Sequence, residues 1–139
     1  MKLLGCIVLA SAALLGPRAV AQGPHVIPEA EAAASAWLKL VDAGDYPASW
    51  HRASSLFKAA VAESSWEAAL KRSRGPLGSL ESREVQSATF THALPGAPDG
   101  EYVVITYASR FEHKTSAIET VTPMLEKDGS WRVSGYYVK

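Results

Sequence analysis

The side chains able to do chemistry are few in type and scattered in position. Histidines stand at 25, 51, 92 and 113, with no two of them one helical turn apart. A zinc site draws three or four convergent ligands, so no metal and no cofactor are expected. The single cysteine, Cys6, lies in an apolar N-terminal stretch. Serines cluster near 54 and 64, and no Gly-x-Ser-x-Gly elbow presents a nucleophile. Acid–base chemistry is what remains. A buried carboxyl or imidazole beside a tyrosine can move a proton near neutral pH. The candidates are His51, beside Trp50 on an expected helix, and Tyr107 and Tyr137 on expected strands. Few acids accompany them: Glu126 is the one carboxylate on the expected core face of the last hairpin, and it sits beside the turn.

Three helices should carry the first half of the chain. The first starts near Pro28, with Ala33, Ala36, Trp37, Leu40 and Val41 on one stripe. Gly44 ends it, and Asp45 caps a second helix with Trp50, Ala53, Phe57, Ala60 and Val61 on its apolar face. Ser64 and Glu67 form a capping box for a third, which buries Trp66, Ala69 and Leu70 and stops at Gly75-Pro76. From Leu80 the period becomes that of strands, over 80–92, 101–111, 116–127 and 130–138. Asp128-Gly129 reads as a two-residue hairpin turn. That turn opposes Met124 to Val133 and Thr120 to Tyr137, and puts Ile118, Met124, Trp131, Val133 and Tyr137 on the core face. Pro123 should mark an edge or a bulge. Helices followed by a strand meander make an α+β domain, the helices packed on one face of a four-stranded antiparallel sheet.

The first twenty-one residues read as an address. A basic start, an apolar run from Leu3 to Leu15 and an Ala19-Val20-Ala21 end form a secretory signal, cleaved between Ala21 and Gln22. Residues 22–27 are an exposed lead and 28–139 the folded domain. Export places the protein in the periplasm or outside the cell. The chain has 139 residues, 47% hydrophobic and 20% charged, which suits one globular domain. Its 14 basic and 14 acidic residues give no basic excess for nucleic acid. The region after the signal has no apolar run long enough to span a membrane.

Three segments carry a family resemblance: 37–46 (WLKLVDAGDY), 94–104 (LPGAPDGEYVV) and 119–125 (ETVTPML). Together they resemble a bacterial secreted family catalogued as domain of unknown function 4019. The Gly44-Asp45-Tyr46 turn and the closing run from Asp128 to Tyr137 resemble the nuclear transport factor 2-like, cystatin-like superfamily. That resemblance implies a curved sheet wrapped around helices as a cone, often enclosing an apolar pocket. The pocket wall would then come from Trp37, Trp50, Phe57 and Trp66 on the helices. Val103, Ile105 and Tyr107 would add the second strand, and Met124, Trp131 and Tyr137 the last hairpin.

Two functions follow from these residues. Aromatic walls with few titratable groups suit a non-catalytic module that binds a small apolar molecule. The other sheet face, with Tyr102, Val104, Val121, Tyr136 and Val138, would take a second copy or another protein. The alternative is a pocket enzyme of the isomerase, dehydratase or hydrolase type, using an inner-face tyrosine with an acid or His51.

Overall fold

A computed structural model describes residues 25–139. The expected signal, its cleavage point at Ala21 and Gln22, and the first three residues of the lead lie outside the described residues. Helix α1 runs Val26–Asp42 and buries Ala30, Ala34, Trp37, Leu38 and Val41. Trp37 and Val41 are where the spacing put them. The rest of the stripe is turned, with Ala36 exposed and Ala33 and Leu40 on the flank. An alanine-rich helix with leucines at both 38 and 40 offers two stripes of similar apolarity, and packing selects one. The helix also absorbs the end of the expected lead, because Val26 and Ile27 pack against the core.

Gly44 takes φ +75°, the left-handed backbone that lets the chain leave α1. Asp45 then caps α2 (Tyr46–Arg52), its Oδ1 accepting from Ala48 N at 3.2 Å. The expected single second helix is two. It breaks at Ala53-Ser54, both fully buried, and restarts as α3 (Ser55–Ala60). Ser54 is the reason: its Oγ accepts from Phe57 N at 3.1 Å, and its own N donates to Val133 O at 2.8 Å. The break therefore pins the helical layer to the sheet. Helix α4 (Glu63–Arg74) begins ahead of the expected capping box, with Ala62 at its start and no side-chain cap. A 3₁₀ turn, Gly75–Leu77, follows. At Gly78, φ is +73° and a Cβ would stand 2.8 Å from Glu112 Oε2, so only glycine fits.

The strands β1 (Leu80–Thr91), β2 (Tyr102–Phe111), β3 (Lys114–Leu125) and β4 (Trp131–Val138) form one antiparallel sheet in sequence order. Helix α1 lies on one face and touches all four strands. On that face Val85 is paired with Tyr107, Arg83 with Ser109, Tyr107 with Glu119, and Val121 with Tyr136. The architecture is α+β, as the alternation of elements implies.

The last hairpin departs from expectation near its tip. Glu126 N donates to Ser130 O at 2.8 Å, and Gly129 takes φ +85°. The loop is thus three residues with a left-handed glycine, not two. Pro123 faces Val133 and Leu125 faces Trp131, while Thr120 still faces Tyr137 because the register shifts between Thr122 and Pro123. A one-residue slip moves side chains across the sheet. Glu119, Val121, Tyr136 and Val138, read as outer, belong to the helix-facing side, where Val121 is fully buried. Ile118, Met124 and Tyr137, read as core, lie on the other side, and Tyr137 is 56% exposed.

Candidate functional site

Six side chains from six elements meet on the helix-facing side of the sheet. Asp42 closes α1 and Arg74 closes α4; Arg83, Ser109, Glu119 and Tyr136 come from β1, β2, β3 and β4. Asp42 stands where the helix dipole opposes a negative charge, so it needs cations. It has two: Arg74 Nη2 at 2.8 Å from Oδ1, and Arg83 Nη1 at 2.7 Å from Oδ2. Glu119, fully buried, is met by four donors. Arg83 Nε and Ser109 Oγ give to Oε1 at 2.7 and 2.6 Å; Tyr136 Oη and Arg83 Nη2 give to Oε2 at 2.6 and 3.1 Å. Arg74 also donates to Tyr136 Oη at 3.3 Å and lies 4.7 Å over the Phe111 ring.

Burial pushes the Asp42 carboxyl up, but hydrogen bonds from Arg83 and Arg74 and their charges outweigh it and hold it below 3.8. Burial works against the Arg83 charge, and the hydrogen bonds and charges of Asp42 and Glu119 more than reverse that. Burial, then the Glu119 charge, raise the Tyr136 hydroxyl well above its ordinary value, against a smaller opposite pull from Arg74. Two acids and two guanidiniums make the quartet neutral. Every oxygen of both carboxylates accepts at least one short hydrogen bond, so neither is placed to take a proton from a substrate.

An aromatic layer lies beside the quartet. Tyr136 packs 5.4 Å from Trp37 and 6.5 Å from Trp66, and Phe57 meets Trp66 edge-on at 4.9 Å. Ser49 holds both indoles: Trp37 Nε1 donates to its carbonyl at 2.8 Å and Trp66 Nε1 to its hydroxyl at 3.0 Å. Trp50 Nε1 donates to Val61 O at 2.8 Å. These residues, with Val103 and Ile105, belong to the core. Trp131 lies at its edge and lines a second groove of about 490 Å³ between α1 and β4, with Leu40, Arg52 and Arg132.

A groove of about 580 Å³ opens between α1 and β1. Helix α1 contributes Pro28, Glu31, Ala32, Ser35, Lys39 and Asp42, which recur at helical spacing. The sheet contributes Leu80, Arg83, Val85 and Tyr107. Val85 is 49% exposed here. Tyr107 is 4% exposed and its hydroxyl has no hydrogen-bond partner. Burial pushes that hydroxyl up to about 12; the Arg83 charge pulls it down, and Glu31 and Glu119 add to the rise. It is therefore a phenol, able to donate.

The three acid–base candidates do not meet. Tyr107 is on the inner face of β2, and Tyr137 is on the opposite face of β4. His51 is exposed on α2, its Nε2 3.1 Å from Glu63 Oε1. Met124 lies on the outer side, in a depression with Glu126. Glu126 caps the start of α3, accepting from Ser55 N at 2.6 Å and Ser55 Oγ at 2.8 Å. Of the residues read as an interface, Tyr102 and Val104 are on the outer face; Tyr102 is buried there, donating to Pro98 O at 2.6 Å. Among the described residues no three His, Cys, Asp or Glu side chains converge as a metal site would require. Also among them, no helix is long and apolar enough to cross a membrane.

Glu119, Arg83, Asp42 and Arg74 are the site residues that sequence spacing missed. Two signals were present: a lone acid inside the apolar β3 run, and an acid at the end of α1 against its dipole.

Residues 33–136 match the model of a protein family whose description is "Protein of unknown function (DUF4019)". No curated protein and no solved structure matches the chain.

Proposed function

From the premise that the chain belongs to the DUF4019 family, whose description names no activity, we propose that it is an exported, non-catalytic module that binds a small, mainly apolar molecule in the α1–β1 groove. One observation carries this reading. The acids on the inner face are committed to Arg74, Arg83, Ser109 and Tyr136, while the groove beside them stays open with Val85 exposed in it. A catalyst needs a titratable group poised at the substrate; in the groove Glu31 and Lys39 lie on the α1 wall and Tyr107 is a phenol with no hydrogen-bonded base. A binding site needs a shaped, mostly apolar concavity with a few polar groups, and about 580 Å³ suffices for a small ligand.

The basic start, short apolar run and Ala-x-Ala end of residues 1–21 support export. The resemblance of the Gly44-Asp45-Tyr46 turn and the closing run from Asp128 to Tyr137 to nuclear transport factor 2-like sequences is in keeping with a pocket bounded by sheet and helix. Native mass spectrometry of the protein purified from its exporting cells tests the reading. A retained small-molecule mass, lost in Val85→Lys, is the expected result. A ligand-free dimer would move the function to the outer sheet face, where Val104 and Tyr137 lie. A ligand-free monomer would contradict binding.

A further inference from the structure

We propose that the Tyr107 hydroxyl is the recognition donor of the α1–β1 groove, and that the ligand is an uncharged, mainly apolar molecule bearing a carbonyl-type acceptor. This rests on the reading that the groove binds a small molecule, and adds what that molecule must carry.

Two buried side-chain polar atoms among the described residues have no partner: Arg74 Nε and the Tyr107 hydroxyl. Of the two, Tyr107 lines the α1–β1 groove. Buried polar groups are nearly always hydrogen-bonded, so an orphan beside a concavity marks the place of a missing partner. Tyr107 is paired with Val85 on one side and Glu119 on the other. Yet the Glu119 oxygens already accept from Arg83, Ser109 and Tyr136, which leaves the phenol without them. The groove that Tyr107 lines is the place from which a ligand could supply that partner.

The groove also defines the ligand's charge and body. Pro28, Ala32, Leu80 and Val85 supply apolar contact. An anion finds no free guanidinium, because Nε, Nη1 and Nη2 of Arg83 are all engaged by Asp42 and Glu119. A cation finds no free acid at depth, because Asp42 already accepts from both arginines. Glu31 and Lys39 at the α1 wall are of opposite sign. A neutral acceptor meets none of these obstacles. The hydroxyl is buried, so a groove-wall side chain must turn aside before a ligand oxygen can reach it. Glu31 is the α1 residue whose charge acts on it.

Three probes of matched shape test the inference by fluorescence titration against the protein from its exporting cells: 2-acetylnaphthalene, 2-ethylnaphthalene and 2-naphthoate. An uncharged hydrogen bond distinguishes the ketone from the hydrocarbon by roughly ten-fold in affinity. We expect that preference in the wild type, with naphthoate weakest, and its loss in Tyr107→Phe with hydrocarbon binding unchanged. Equal binding of ketone and hydrocarbon, a preference that survives in Tyr107→Phe, or tightest binding of naphthoate would overturn the inference. Each of these leaves the groove reading standing, provided Val85→Lys abolishes binding. If no probe binds the wild type, the groove reading fails and the inference with it. A Tyr107→Phe protein that does not fold would show the hydroxyl to be structural, which also overturns the inference.

Discussion

Arg83 reaches Glu119 across an intervening strand, its Nε 2.7 Å from Oε1, although β1 and β3 are not neighbours in the sheet. Ser109, directly paired with Arg83 on β2, is small enough to be crossed and donates to the same oxygen at 2.6 Å. One carboxylate thereby ties three strands, and Tyr136 adds the fourth at 2.6 Å. Asp42 extends the tie to α1 and α4.

Removing one member should be far costlier than a surface change. Glu119→Gln keeps the shape and removes the charge, leaving Arg83 and Arg74 with Asp42 alone. Breaking a buried pair from one side costs about 3 kcal/mol or more. Urea unfolding should show a loss of that order at neutral pH, and a loss below about 1 kcal/mol would mean that the quartet is not what holds the strands.

Two inner-face tyrosines should behave in opposite ways. Tyr136→Phe removes a donor to a carboxylate and should cost about 2 kcal/mol. Tyr107→Phe removes a hydroxyl without a partner. Its stability should be unchanged or higher by about 1 kcal/mol. Thermal unfolding of the two variants side by side checks the contrast.

The pH dependence follows from signs. Burial raises the Asp42 carboxyl, the arginines lower it further than burial raises it, and the folded value lies below 3.8. Its contribution is present above pH 3.8 and is lost as the pH falls through the folded value. Burial raises the Tyr107 hydroxyl from 10.0 to about 12, and raises Tyr136 as well. Protons are then held more tightly when folded, so that contribution is full below pH 10 and is lost as pH rises through 12. Stability against pH should therefore fall at both extremes. Asp42→Asn should flatten the acid limb and leave the alkaline limb in place; an unaltered acid limb would contradict the assignment.

The helix break gives a further test. Ser54→Ala loses the cap on α3 and should cost about 1 kcal/mol. Ser64→Ala, inside the first turn of α4 with no capping bond, should change stability by less than about 0.5 kcal/mol. Equal losses would restore the capping box read from spacing.

Local chemistry was readable without the fold. Gly44, the Asp45 cap, the four strands and the bulge at Pro123 all follow from residue types whose backbone preferences act over a few positions. What spacing alone could not supply was longer in range. The alanine-rich α1 offered two stripes, and only the sheet chose between them. The second helix broke because Ser54 binds Val133, a partner far away in sequence. Above all, the hairpin loop has three residues where a two-residue turn was expected; that slip changed the face assigned to Glu119 and Val121, and the register shift beside Pro123 turned Tyr136 inward. Glu119 was hidden by that single residue of register. Tyr107 was placed on the inner face correctly because β2 alternates without interruption.

Where a ligand sits can be read directly by two-dimensional amide NMR during titration with 2-acetylnaphthalene. We expect shifts along residues 28–42 and 80–85 and at Tyr107, with the α1–β4 groove around Trp131 and the outer face at Tyr137 unmoved. Shifts centred on Trp131 and Arg132, or no shifts at all, would contradict a binding site between α1 and β1.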